Sequence, residues 1–233
     1  MSAGPRSPVA AARSQTAGPR SPLAGAGSRA AGSRAKRLTD IVVAAFLLVV
    51  TSPILLVVAV AVAVRMGRPV LFRQKRTGYA GRPVELVKFR TMVSPVGPAA
   101  GLPDSARLTG LGRFLRRSSL DELPSLVGVL RGELSLVGPR PLLPRYDRWY
   151  SGPELLRFTV RPGLTGPAQV RGRNLARWDD RLALDAAYAL DWSYGLDLRL
   201  LARTAWVVLA RTDAVADPTA VMADLDVERA GPR

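Results

Sequence analysis

The residues best suited to chemistry are two adjacent carboxylates, Asp121 and Glu122, which follow two arginines, Arg116 and Arg117. At a helix start, whose amide donors favour anions, such a pair beside guanidinium groups can accommodate a phosphate and a divalent cation close together. A purely structural interpretation is also available, because Ser119 precedes Glu122 by three residues, the spacing of a helix capping box. Taken alone, these residues favour the structural interpretation.

Composition restricts the reactions that this pair can support. The 233-residue chain has neither cysteine nor histidine, which excludes a catalytic thiol, a disulfide and the commonest general base. Catalysis would therefore depend on carboxylates, Lys, Arg, hydroxyl groups or a metal bound through oxygen. The formal charge of +16 indicates phosphate-bearing partners, and an aromatic content of 6% argues against stacking on single-stranded nucleic acid. Lipids and nucleotides are the favoured partners.

The N-terminal part of the chain combines a basic tail with an apolar run. Residues 1–35 are rich in Ala, Gly, Ser, Pro and Arg and contain no acid, which predicts a disordered tail. The uncharged run from Ile41 to Val64 is long enough to cross the ~30 Å hydrocarbon core as a helix. Pro53 interrupts its backbone hydrogen bonding, and basic residues flank it on both sides. A re-entrant helix-break-helix and a kinked spanning helix both remain open.

A β-hairpin is predicted after the apolar run. Its strand-forming segments, 69–75 and 83–89, flank a glycine-containing turn. Lys88 and Arg90 lie at its end, where they either bind phosphate or are simply solvated. Residues 93–106 are rich in Pro, Gly, Ala and Ser and predict a surface loop with the composition of a lid.

Hydrophobic periodicity predicts four helices in the second half of the chain. They cover residues 108–117, 120–131, 178–190 and 196–209. The last has Arg199 and Arg203 opposite a Leu/Val/Trp face, so it is either an amphipathic helix in the membrane interface or a packed core helix. Residues 214–233 predict a loose tail.

Two stiff basic turns lie between these helices. Arg140 stands between Pro139 and Pro141, which restrict the backbone and lower the entropic cost of presenting the guanidinium group. Arg161 opens the second turn, 161–166. Both are also compatible with ordinary loops, and the sequence has no glycine-rich phosphate-binding motif of the Walker or dinucleotide type.

Five motifs, in this order, resemble those of the monotopic phosphoglycosyl transferases, also called bacterial sugar transferases. They are Lys36-Arg-Leu-Thr-Asp40, Lys88-Phe-Arg-Thr-Met92, Phe114-Leu-Arg-Arg-Ser-Ser-Leu-Asp-Glu-Leu-Pro124, Leu134-Ser-Leu-Val-Gly-Pro-Arg-Pro141 and Arg161-Pro-Gly-Leu-Thr-Gly166. The resemblance implies an α+β, mostly helical fold with a re-entrant membrane hairpin at 36–66 and a catalytic domain at 67–213. It further implies amphipathic interfacial helices around an active site on the cytoplasmic face of the bacterial inner membrane.

The resemblance also implies an activity. A sugar phosphate would pass from a UDP-sugar to polyprenyl (undecaprenyl) phosphate with release of UMP, a first membrane step of exopolysaccharide or other glycoconjugate assembly. By the resemblance Asp121 is the nucleophile that forms an aspartyl phosphosugar, and Glu122, with Asp121, holds Mg²⁺. The residues expected to bind substrate phosphates are Lys88, Arg90, Arg116, Arg117, Pro139, Arg140, Pro141 and Arg161. Anionic lipids are expected as partners, nucleic acid is not, and a homodimer is left open.

A function of a different class is a catalytically inactive, membrane-anchored basic adaptor that recruits glycan-assembly enzymes. It accounts for the positive charge and the apolar run. It gives no reason for two acids among arginines, and replacement of Asp121 distinguishes the two hypotheses.

Overall fold

The computed structural model describes residues 33–94, 101–171, 177–210 and 224–230. Within these residues the chain is mostly helical and has two small two-stranded sheets. The predicted α+β, mostly helical class is therefore confirmed. Nearly all of the predicted tail at 1–35 lies outside the described residues, as do parts of the predicted loop at 93–106 and of the predicted C-terminal tail.

The apolar run lies within one long helix, α1 (Arg34–Met66), which has 33 residues and a mean hydropathy of 2.9 in its most apolar window. By length and composition it is able to cross a membrane, and only 11% of that window is buried by the protein. The helix continues through Pro53. Proline at this position leaves the carbonyl of Val49 without its usual donor, and the Ser52 hydroxyl donates to that carbonyl at 2.7 Å. No break is assigned within α1, and the re-entrant arrangement stays a prediction.

The first turns of α1 are fixed to the rest of the protein by buried polar groups. Lys36 pairs with Asp197 at 2.5 Å and donates to the Val137 carbonyl at 3.0 Å. Asp40 accepts a hydrogen bond from the Ser135 hydroxyl at 2.8 Å. Buried ionic groups require such partners, so the position of α1 is fixed where the chain enters the apolar run.

The predicted β-hairpin is confirmed. Strands β1 (Leu71–Thr77) and β2 (Pro83–Phe89) pair antiparallel with Leu71 opposite Phe89. A 3-10 turn at Tyr79–Gly81 joins them.

The remaining elements follow in chain order. They are α2 (Asp104–Arg107), α3 (Gly110–Arg117), a 3-10 helix (Leu120–Ser125), α4 (Leu126–Arg131), β3 (Ser135–Val137), 3-10 helices at Pro144–Trp149 and Pro153–Thr159, β4 (Gly163–Thr165), α5 (Pro167–Val170), α6 (Trp178–Leu190), α7 (Tyr194–Ala210) and α8 (Leu225–Ala230). Strands β3 and β4 pair in parallel. The predicted helices are present, but the one expected over 120–131 becomes an α-helix only at Leu126.

Helix α7 combines the two interpretations that the sequence left open. Leu200 is buried in the main core cluster, beside Leu136 and Tyr188. Leu198 and Trp206 are 47% and 68% exposed on the same helix. One face of α7 is therefore packed, and another is apolar and not covered by the residues that the structure describes. Contact of that face with a membrane stays a prediction.

The C-terminal segment differs from the predicted loose tail over its described residues, 224–230. Leu225 is fully buried against Tyr146 and Trp178. Arg229 of the same short helix pairs with Glu154 at 2.6 Å. The sequence showed no periodicity there because six residues give too short a pattern to detect.

Candidate active site

Asp121 and Glu122 lie in the first turn of the 3-10 helix Leu120–Ser125. The predicted capping role of Ser119 is wrong: this residue has a left-handed backbone, with φ of 56°, and its side chain does not cap the helix. The turn is fixed to the β-hairpin instead, through a 2.6 Å hydrogen bond from the Ser125 hydroxyl to the Val87 carbonyl. The capping-box interpretation of Ser119 and Glu122 is therefore excluded.

The Glu122 carboxylate is held by two cations from distant parts of the chain. Lys88, on β2, and Arg140, in the loop after β3, each donate to Oε1 at 2.6 Å, and Arg140 also reaches Oε2 at 3.3 Å. Burial acts to raise the pKa of Glu122, but the charges of Arg140 and Lys88 hold it far below its ordinary value. Glu122 is thus a permanent anion that fixes both cations in place.

Asp121 differs from its neighbour Glu122 in both its polar contacts and its pKa. Its side chain is buried, yet no hydrogen bond or ion pair engages its carboxylate within the part of the chain that the structure describes. Burial and the neighbouring charge of Glu122 raise the pKa of Asp121 to about 6, against the opposing charges of Lys88 and Arg116. The result is a carboxylate that is mostly ionised at neutral pH and whose oxygens are available to react.

Arg116 reaches the site because α3 lies very close to the segment after β2. A Cβ atom on Gly112 would lie 1.9 Å from the Thr91 carbonyl oxygen, so only glycine permits this approach. The Arg116 Nε donates to the Thr91 hydroxyl at 3.1 Å, and its charge acts on Asp121. The predicted association of Arg116 with the acidic pair is therefore present.

Two of the other predicted phosphate-binding residues, Arg90 and Arg161, donate hydrogen bonds to main-chain carbonyls outside the acidic pair. Arg90 donates to the carbonyls of Met66 and, at 2.6 Å, of Gly67, so it closes the end of α1. Arg161 donates to the Gly132 carbonyl at 3.2 Å. Arg117 is exposed on α3.

Pro139 and Pro141 are buried on either side of Arg140 and confine its loop. Their part is therefore to fix the backbone from which the Arg140 guanidinium extends. The structure thus brings Lys88, Arg116 and Arg140 to the acidic pair.

A buried support for Arg140 has no signal in the sequence. The Arg157 guanidinium donates to the Arg140 main-chain carbonyl at 2.5 Å and pairs with Asp185 at 3.2 Å. It also donates to the Tyr150 hydroxyl at 3.0 Å. In the sequence, Arg157 and Asp185 look like ordinary polar positions of two short helices, and no local signal shows that they meet.

The acidic pair also has the donor chemistry for one hard cation. Mg²⁺ is usually held by one or two carboxylates together with substrate phosphates and water. The unengaged Asp121 carboxylate and the more loosely held Glu122 Oε2 provide such oxygens. Among the described residues there is no cluster of three His, Cys, Asp or Glu, so these residues offer no all-protein metal cage.

Comparison with known proteins gives one family match and several relatives. The model of a family described as bacterial sugar transferase matches residues 31–211. An uncharacterized sugar transferase, EpsL, of Bacillus subtilis is 47% identical over 175 residues, covering 75% of this chain and 87% of that protein.

Two further relatives have names that state a reaction. A UDP-glucose:undecaprenyl-phosphate glucose-1-phosphate transferase of Caulobacter vibrioides is 42% identical over 190 residues, with 77% and 71% of the two chains covered. An undecaprenyl-phosphate galactose phosphotransferase of Salmonella typhimurium is 36% identical over 197 residues, which cover 77% of this chain and 41% of that protein.

Proposed function

Because this chain belongs to the bacterial sugar transferase family, we propose that it transfers a sugar phosphate from a UDP-sugar to polyprenyl phosphate and releases UMP. The observation that carries the proposal is the contrast between neighbours: Glu122 is clamped by two cations, while Asp121 is buried and unengaged. The names of the Caulobacter and Salmonella relatives support the two substrate classes.

In the first step, an Asp121 carboxylate oxygen attacks the sugar-linked phosphorus of the donor. A new oxygen–phosphorus bond forms, and the bond to the bridging oxygen breaks with its electron pair staying on UMP. A carboxylate is a competent nucleophile for such covalent catalysis when the electrophile's charge is neutralised. Lys88, Arg116 and Arg140 supply positive charge around the reacting phosphate.

In the second step, a polyprenyl phosphate oxygen attacks the same phosphorus and displaces Asp121 as a carboxylate. Two steps let two anionic substrates use one set of cations in turn. The site then never has to neutralise both substrates together, which suits a centre with few cations and a buried nucleophile.

Mg²⁺ is part of this proposal, and the carboxylates of Glu122 and Asp121 would hold it beside the donor diphosphate. When bound, it would neutralise charge on the diphosphate and so favour attack by an anion. Arg140 and Lys88 restrict the Glu122 carboxylate to one orientation whether or not an ion is present.

The proposed place of the reaction is the cytoplasmic face of the bacterial inner membrane, with α1 as a re-entrant hairpin. Support comes from the exposed apolar surface of α1, the basic residues on both of its flanks and the Ser52 hydroxyl that satisfies the carbonyl freed by Pro53. The uncovered face of α7, with Leu198 and Trp206, supports contact with anionic lipid at the interface.

The decisive experiment is intact-mass measurement of the full chain in detergent, incubated with Mg²⁺ and a panel of UDP-sugars but no polyprenyl phosphate. We expect the protein to gain the mass of a phosphosugar and to release UMP. Asp121→Asn should do neither, whereas Asp180→Asn, which changes an exposed acid on α6, should behave as the parent chain. An adaptor without activity would show no adduct and no UMP in any of the three proteins.

A further inference from the structure

Two arginines outside the predicted site lie beside Arg140. Arg76 is at the end of β1, where the Thr77 amide donates to the Leu142 carbonyl at 3.0 Å. This contact joins the end of the strand to the segment immediately after Arg140. Arg181 lies on α6, and the charge of Arg140 acts on both Arg76 and Arg181.

Aromatic rings fix the geometry on the α6 side. The Arg181 guanidinium lies over the Trp178 ring, 4.8 Å from its centroid. Trp178 in turn packs edge-on against Tyr146, with centroids 5.6 Å apart. Stacking on an aromatic face fixes the plane of a guanidinium group, whose N–H donors all lie at the edge of that plane.

Neither guanidinium has a carboxylate partner among the residues that the structure describes. Arg76 donates to the Gln74 side-chain oxygen at 2.6 Å, while its buried Nε has no acceptor. The acid of its own helix whose charge acts on Arg181, Asp185, is already paired with Arg157.

Burial is the main cause that lowers the pKa of Arg76, to about 10, and the charge of Arg140 is the second cause. The same two causes, in the same order, lower the pKa of Arg181. The charges of Glu122 and Asp185 oppose these shifts without direct contact, and the pKa of both arginines is still lowered, so an anion bound between them and Arg140 would be stabilised.

We propose that Arg76 and Arg181 bind a phosphate group, namely the one that UMP retains when it leaves. The inference rests on the proposed function. It assigns the two phosphates of the UDP-sugar to two neighbouring groups of cationic side chains. The transferred phosphate lies at Asp121, and the neighbouring phosphate lies at Arg76 and Arg181. When the bridging oxygen keeps the electron pair, UMP gains negative charge, and these guanidinium groups stabilise it.

The position of this subsite favours a nucleotide over a lipid phosphate. Tyr146 and Trp178 belong to a core cluster that contains no residue of α1. The opposite end of β1 lies beside α1, the proposed membrane helix, because Leu71 packs against the apolar cluster that contains Val62. Arg76 is five residues further along the strand, about 17 Å away.

The test compares Arg76→Gln and Arg181→Gln with a matched control in the full chain in detergent. The control, Arg73→Gln, changes an exposed arginine of β1 that pairs with Glu85. The measured quantities are inhibition of turnover by UMP, inhibition by uridine and the KM for polyprenyl phosphate.

We expect each of the two variants to weaken inhibition by UMP about tenfold, because each loses a charge-assisted hydrogen bond. Uridine inhibition and the KM for polyprenyl phosphate should not change, and Arg73→Gln should match the parent.

Two results would overturn the inference. A raised KM for polyprenyl phosphate with unchanged UMP inhibition would assign the subsite to the lipid phosphate. Unchanged values for both would show that no phosphate binds there.

Failure of the proposed function gives a different pattern, in which the parent chain itself releases no UMP from any UDP-sugar. Calorimetric binding of UMP to parent and variants then decides the inference separately. Arg76→Lys, which keeps the charge, should retain part of the UMP affinity, and melting temperatures identify any variant that fails to fold.

Discussion

The Arg157 guanidinium lies 2.5 Å from the main-chain carbonyl oxygen of Arg140. Arg157 is itself paired with Asp185, and both side chains are almost completely buried. The loop that delivers Arg140 to Glu122 is therefore supported by an ion pair from the domain interior. Removal of one partner of a buried ion pair costs several kcal/mol of folding stability. The Arg157–Asp185 pair therefore holds this loop firmly.

Replacement of Arg157 by lysine tests this support. A lysine ammonium can pair with Asp185 but lacks the planar fork that also reaches the Arg140 carbonyl and Tyr150. We expect kcat to fall about tenfold, the approximate effect of losing one hydrogen bond to a charged group.

A pH profile separates positioning from a general loss of structure in this variant. The charge of Arg140 lowers the pKa of Asp121, so a displaced Arg140 should move the acid limb of kcat/KM to higher pH. An unchanged acid limb together with a lower melting temperature would mean that Arg157 serves stability alone.

The acid limb of the parent profile is itself a prediction. Since the nucleophile must be ionised and the pKa of Asp121 is raised to about 6, kcat/KM should fall tenfold per pH unit below that value. Glu122→Gln removes the neighbouring negative charge that helps to raise this pKa. Its acid limb should therefore move to lower pH, even though its maximal rate falls. A limb that stays in place would contradict the assignment of the titrating group to Asp121.

Packing of the C-terminal helix gives a prediction about stability. Leu225 of α8 is fully buried against Tyr146 and Trp178, whereas Val227 of the same helix is 63% exposed. We expect Leu225→Ala to lower the free energy of unfolding by about 2 kcal/mol and Val227→Ala to change it little. Denaturation of both variants in detergent measures the difference, and equal effects would show that α8 is not packed in solution.

The sequence predicted the parts of this site that depend on local pattern. The acidic pair, the hairpin that carries Lys88 and the proline-confined Arg140 were identified from residue types and from motifs. Their association is visible only in the structure, because Lys88 and Glu122 are 34 residues apart and their pairing depends on the packing of β2 against the acidic turn.

The features that local pattern does not show have the same physical origin. Ser119 and Glu122 have the spacing of a capping box, but tertiary ion pairs with Lys88 and Arg140 claim the glutamate and the turn becomes 3-10. Arg90 belongs to a motif beside Lys88, yet its guanidinium closes the end of α1. Charged residues that serve as internal supports, such as Arg157, cannot be distinguished from solvated ones by sequence alone.

Membrane topology gives the last prediction, and the chain is well suited to it because it contains no native cysteine. Single cysteines in place of Ala35 and Arg65 lie on exposed positions at the two ends of α1. If α1 is re-entrant, an impermeant maleimide should label both in inside-out vesicles and neither in intact spheroplasts. A spanning helix would instead expose one position on each side. The basic residues on both flanks favour the first outcome, because a spanning helix would place one of the two basic flanks on the outer side of the membrane. Labelling of either cysteine from outside would exclude the hairpin while leaving the chemistry proposed for Asp121 intact.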